Sequence, residues 1–198
     1  MVKRIKSVSV GQEYISALGL RAVRRKSDFE KQYKKLIKTS DAETVERLFD
    51  MIDYRADHDY TIEDDNQFYK LKNTSLELSI ALTGMYDYDI LVEACNWIDR
   101  HKECFGKTIL DVGCDCGIIS CFIAKILPDS HIFSIDRCAE AVNNAKQLAE
   151  KQDISNIEFI HTDLASMENI QFDTVFSMRT LCMNEGYGQW SECEDSSV

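Results

Sequence analysis

Between Thr108 and Ser120 the chain reads Thr-Ile-Leu-Asp-Val-Gly-Cys-Asp-Cys-Gly-Ile-Ile-Ser, and residues with chemical uses crowd into it. Asp111 and Asp115 are carboxylates, and Cys114 and Cys116 are thiols. Gly113 and Gly117 lack the Cβ that keeps φ negative, so they can turn the chain and let a ligand approach the backbone. Further polar residues fall where later apolar runs end: Asp136, then His161-Thr162-Asp163, then Ser177-Met178-Arg179. Asp136 follows Gly113 at close to the ~20-residue interval at which a carboxylate accepts hydrogen bonds from ribose hydroxyls. The pattern points to a nucleotide-like ligand.

The spacing also excludes. A dinucleotide fingerprint started at Gly113 needs glycines at 115 and 118, which are Asp115 and Ile118. No Gly-Lys-Ser/Thr follows the turn, so it is not a P-loop. Cys114, Cys116 and Cys121 lack the paired spacing of a zinc site, and Asp57-His58-Asp59 reads as a solvated acidic stretch, so no metal is expected. Cys116, close to a helix N-terminus, is expected to have a lowered thiol pKa.

Elements must position these groups. Ile109, Leu110 and Val112 predict a buried strand, and Ile118, Phe122, Ile123, Ile126 and Leu127 fall at helical spacing until Pro128. Strands follow at His131–Ile135, Ile157–Ile160 and Phe172–Phe176, with a helix over Cys138–Lys151 between the first two. Alternation of this kind predicts βαβ units and a parallel sheet. Such sheets bind ligands beyond the carboxyl ends of their strands, at the switch point.

The first hundred residues read as helices. Ser27-x-x-Glu30 and Ser40-x-x-Glu43 have capping-box spacing and open amphipathic runs. Residues Asp53–Gln67 read as a loop or poor helix. Thr74-x-x-Glu77 predicts another helix cap, although Leu76, Leu78, Ile80 and Leu82 also alternate like a strand, and Ile90, Leu91, Ala94, Trp97, Ile98 and His101 form a helical stripe ending near Gly106. The expected division is a helical region at 1–106, a ligand-binding domain at 107–182, and a mobile acidic tail at 183–198.

Over 198 residues, 44% hydrophobic, the net charge is −11, which argues against a general nucleic-acid binder. Residues 1–38 carry 11 Lys+Arg against 3 Asp+Glu, a basic arm that reads as a solvated helix face or, alternatively, as a surface for RNA, an anionic surface or a partner. No apolar run approaches a membrane span and no signal h-region follows the N-terminus, so the expected setting is cytoplasmic, with no membrane. The eight cysteines sit in apolar periodic segments and read as small core residues.

As a set, these segments resemble class I S-adenosylmethionine-dependent methyltransferases. Asp111-Val-Gly113-Cys-Asp115-Cys-Gly117 resembles motif I, Asp-x-Gly-x-Gly-x-Gly, and Phe133-Ser-Ile-Asp136 resembles motif II. Ile160-His-Thr-Asp163-Leu164 is similar to the segment that meets the adenine, and Phe172-Asp-Thr-Val-Phe-Ser177-Met to motif IV. The resemblance implies a Rossmann-like α/β fold, here a partial parallel sheet of about four strands behind a helical N-terminal region. It implies S-adenosyl-L-methionine as cofactor, held by Asp111, Gly113, Cys114, Asp115, Gly117, Asp136, Arg137, Asp163, Leu164 and Ser177. The partner is an unidentified methyl acceptor, a small molecule, protein or RNA; Met178 and Arg179, by their place after the fourth strand, are either acceptor-side residues or plain surface residues at a strand end.

Two departures from the family stand out. Asp115 replaces the middle glycine of motif I, and its charge either attracts the cofactor's ammonium or sulfonium or repels its carboxylate, by about 4 kcal/mol at ~4 Å and an effective dielectric of ~20. The chain also ends soon after a fourth strand, where the family has seven. That implies a truncation, a partner chain or self-association at the exposed sheet edge, or a catalytically incompetent binding and interaction module.

Overall fold

The structure, a computed structural model, describes residues 8–167 and 170–180. Five helices come first: α1 (Val10–Ala17), α2 (Lys26–Thr39), α3 (Ala42–Asp57), α4 (Ile62–Lys72) and α5 (Leu76–Arg100). Then follow β1 (Thr108–Val112), α6 (Ile118–Ile126), β2 (His131–Asp136), α7 (Ala139–Lys151), β3 (Ile157–His161) and β4 (Thr174–Ser177). The four strands form one parallel sheet in the order β3-β2-β1-β4. The chain steps outward from β1 through β2 to β3 and returns to the far side of β1, so the strand order reverses between β1 and β4. That crevice is where an open α/β sheet offers its strand ends to a ligand. The expected α/β architecture is therefore observed.

Side-chain alternation on β1 sends Ile109 and Asp111 to one face and Leu110 and Val112 to the other. The first face packs on α1, α5, α6 and α7 through a core that includes Ile15, Ile98, Phe122, Ile123, Ile132 and Val142. The second is closed by Phe133, Leu164, Met167 and Phe172 over Leu110, Val112 and Ile135. A third cluster joins α2, α3 and the start of α5 through Leu36, Val45, Leu48, Leu78 and Leu82. Tyr14 ties α1 to the sheet domain, its hydroxyl donating to the Ile118 carbonyl at 2.9 Å and its ring lying 5.0 Å from Phe122.

Several local readings shift. Ser27 lies inside α2, whose N-cap is Arg25. Arg25 makes no side-chain cap and instead pairs with Asp28 of the first turn at 3.3 Å. Ser40 closes α2 through its own N–H, while the neighbouring carboxylate of Asp41 caps α3 by accepting from Thr44 at 2.8 Å. Ser75 rather than Thr74 caps α5. Of the two readings of Asp53–Gln67, loop or poor helix, the structure shows mostly helix, because Thr61 and Asp64 form a reciprocal capping box that starts α4. The stripe near Trp97 and the run from Leu76 belong to one helix of 25 residues. Of the cysteines, 95, 114, 116 and 121 are buried as expected, whereas Cys104 is exposed and Cys138 half-buried. Both sit at element ends, beyond the apolar faces. Cys182, Cys193 and the acidic tail lie outside the described residues.

Candidate active site

The turn after β1 is held to β2 by two N–H groups, of Gly113 and Cys114, which donate to the Ile135 carbonyl at 2.8 and 3.1 Å. Gly113 and Gly117 take φ of +80° and +81°, the left-handed region that favours glycine. A Cβ at Gly113 would stand 2.0 Å from Thr180 Oγ1, and one at Gly117 2.8 Å from the Ala145 Cβ. The space each glycine leaves is thus taken by the segment after β4 and by α7.

Between them Asp115 also turns left-handed, at φ +47°, which costs a non-glycine residue and requires support. The support comes from the end of α4. Lys72 Nζ lies 2.5 Å from Asp115 Oδ2, and Asn73 Nδ2 donates to Oδ1 at 2.9 Å. Asn144 of α7 in turn donates to the Asn73 carbonyl and side chain at 3.0 and 3.2 Å. Burial pushes the Asp115 carboxyl up, but the Lys72 charge and these hydrogen bonds outweigh it and hold it below the usual range. Burial likewise works against the Lys72 charge, and Asp115 reverses it, leaving the ammonium more firmly protonated than usual.

The other acids differ in setting. Asp111 is buried on the helix-covered face, where desolvation raises its pKa to about 6 against the hydroxyl of Ser120, which donates at 2.5 Å. Asp136 ends β2 and accepts the backbone N–H of Asp115 on one oxygen (2.9 Å) and of Cys138 on the other (2.8 Å). Burial raises its pKa as well. Asp163 is exposed and accepts from the Ala165 N–H at 2.7 Å. Ser177 spends its hydroxyl on the Val112 carbonyl at 3.2 Å. Arg137 reaches Asp65 at 3.4 Å, and Asp65, buried, also binds Arg55 at 2.6 Å. Arg179, just beyond β4, pairs with Asp87 of α5.

One cavity of about 910 Å³ runs across these groups. Its floor is Asp111 to Cys116, Asp136, Arg137 and Thr162 to Leu164, and its far wall comes from α3, α4 and α5 with Phe176, Met178 and Arg179. Gly117 and Ser177 stand behind this surface, positioning the turn and the strand end. Cys116 does not become acidic. Burial, with Asp115 beside it, pushes its thiol up to about 12 and overrides the helix terminus. Among the described residues no cluster of His, Cys, Asp and Glu could hold a metal. The residues that the motifs missed are Lys72, Asp65 and Arg55, on helices remote in sequence, and Asn73, which caps the end of α4. Their one advance signal is Asp115 itself, a carboxylate in a glycine's place that calls for a counter-charge.

A family model described as Methyltransferase domain matches residues 105–193. The match covers less than half of the chain and marks this stretch as similar to that domain family. The chain is similar to the ubiquinone biosynthesis O-methyltransferase of Acinetobacter baylyi, 34% identical over 90 residues that cover 43% of this chain and 37% of that protein. It is also similar to the (S)-tetrahydroprotoberberine N-methyltransferase of Eschscholzia californica, 26% identical, covering 38% of this chain and 22% of that protein. The chain thus spans well under two thirds of the length of the curated relatives it matches. Among solved structures, magnesium protoporphyrin IX methyltransferase from Synechocystis PCC 6803 with bound SAM is 16% identical, covering 76% of this chain and 61% of that one, at a TM-score of 0.41.

Proposed function

We propose that the chain binds S-adenosylmethionine in the cavity above β1 and β2 and presents its methyl group to an acceptor lodged against α3, α4 and α5. In this reading residues 107–182 are the cofactor-binding domain and residues 1–106 build the acceptor side. The observation that carries it is a continuous cavity that joins the motif I turn and the acids at or near the ends of β1, β2 and β3 to a wall rich in apolar side chains, including Leu82, Tyr69 and Tyr86. The donor set fits a nucleoside with an amino-acid arm. Asp136 and Asp163 offer carboxylate oxygens suited to hydroxyl and amine donors, and the turn offers small residues and backbone at the start of α6. Its volume lies in the range of small-molecule sites.

The cofactor supplies an activated methyl group on a good leaving atom, so the protein's task is alignment. Asp111, Asp136 and Asp163 orient the cofactor along the strand ends, and Leu164 packs beside it. The aromatic and aliphatic wall excludes water and sets the acceptor's approach. Met178 and Arg179 stand on the acceptor side, with Arg179 braced by Asp87. β4 forms one edge of the described sheet and Val175 is 62% exposed there, which suits a covering segment or second chain. The six free cysteines among the described residues suit a reducing, cytoplasmic setting, and none of the described helices is long and apolar enough to cross a membrane.

Titration calorimetry with S-adenosylmethionine and S-adenosylhomocysteine tests the reading. Saturable one-to-one binding is expected with both, weakened at least tenfold by Asp136→Ala. Absence of heat with either compound overturns it.

A further inference from the structure

Lys72 is the last residue of α4, 6% exposed, and its ammonium meets Asp115 inside the cavity wall. A buried ammonium needs a partner, and so does a carboxylate in a left-handed turn. The geometry satisfies both at once. Asn73 fixes the second carboxylate oxygen and is itself held by Asn144, so the pair has little freedom to rearrange. Even so, a quarter of the Asp115 side chain remains open to the cavity. Whatever lies against the turn is close to this charge pair. The other ionisable groups around it are Asp136, bonded to the Asp115 N–H, with Tyr69, Cys116 and Asp65 nearby.

We infer that Lys72 is a positioning residue for the cofactor: by cancelling the Asp115 charge, it lets the turn accept the carboxylate of the cofactor's amino-acid end. This rests on the cofactor reading above. The N-terminus of α6 is where an anionic group gains from oriented N–H groups, so the carboxylate is the end that Asp115 would meet if left uncompensated. The same contact anchors α4, so the helix that walls the acceptor side is docked on the cofactor turn itself.

The test compares three proteins, the unaltered chain, Lys72→Met and Asp115→Asn, against two probes. S-adenosylhomocysteine has the amino-acid end and 5′-methylthioadenosine lacks it. Lys72→Met exposes the turn to an unpaired anion and is expected to weaken S-adenosylhomocysteine at least tenfold, with methylthioadenosine affinity held within threefold. Asp115→Asn leaves Lys72 uncompensated and is expected to tighten S-adenosylhomocysteine at least threefold. Effects of opposite sign, confined to one probe, are what a merely structural role does not produce. Equal weakening by both substitutions, or equal loss of both probes, overturns the inference. Should Lys72→Met fail to fold, Asp115→Asn decides alone, since any weakening there refutes the charge argument. Binding by the unaltered chain with no response to Lys72→Met overturns the inference and leaves the cofactor reading standing. Failure of the unaltered chain to bind either probe overturns both.

Discussion

Asp111 gives the sharpest quantitative prediction, because burial and titration are tied together there. Its carboxyl is raised to about 6 by desolvation, against a usual value of 3.8. A group that is harder to ionise in the folded state than in the unfolded one destabilises the fold once both are ionised. Between the two pKa values the native protein takes up a proton that the unfolded chain does not, so stability rises as pH falls through 6 toward 4. Linkage puts the cost at about 3 kcal/mol at pH ~7.5 and about 1 kcal/mol at pH ~4.5. Asp111→Asn keeps the shape and a hydrogen-bond partner for Ser120 while removing the charge. Urea unfolding of both proteins at several pH values between those limits measures the difference. The unaltered chain should lose about 2 kcal/mol relative to the variant as pH rises across the window. Parallel stability curves would refute the argument, since they would mean that Asp111 ionises in the fold as freely as in water.

Gly117→Ala is expected to destabilise by about 2 kcal/mol, from a left-handed residue plus a close approach to Ala145. Gly19→Ala is its control, because Gly19 has φ +80° with nothing within 4 Å of the added Cβ, so denaturation midpoints of the pair separate strain from crowding. For thiols, iodoacetamide labelling followed by mass spectrometry should modify Cys104 quickly and Cys95, Cys114, Cys116 and Cys121 only on unfolding. Rapid labelling of Cys116 in the native protein would show that its burial and raised pKa are wrong.

The sheet and its turn were legible because their signals are local. Glycines two residues either side of Asp115, an apolar run before them and a helical stripe after them admit few other folds. The acids at 136 and 163 follow from strand ends in the same way. Two helix caps slipped by one because Ser40-Asp41 and Thr74-Ser75 each offer two neighbouring oxygens, and sequence does not say which backbone N–H is in reach. Of the Lys72–Asp115 pair only the Asp115 half was legible, since the two members meet only after α5 and β1 have folded between them. Cys116 was misjudged for a related reason. A helix N-terminus is visible in sequence, whereas the packing that seals it from water is a property of the assembled protein.

The long helix α5 has a mechanical consequence. Its first turns send Leu78 and Leu82 to the cluster shared with α2 and α3 and Leu76 to the core beneath the sheet, which its later turns rejoin through Leu91, Cys95 and Ile98. Melting either cluster removes one of the two surfaces on which α5 is ordered, and a helix that loses its packing frays readily. The two hydrophobic clusters are therefore coupled through one rigid rod, so heat should dissolve them in a single cooperative step.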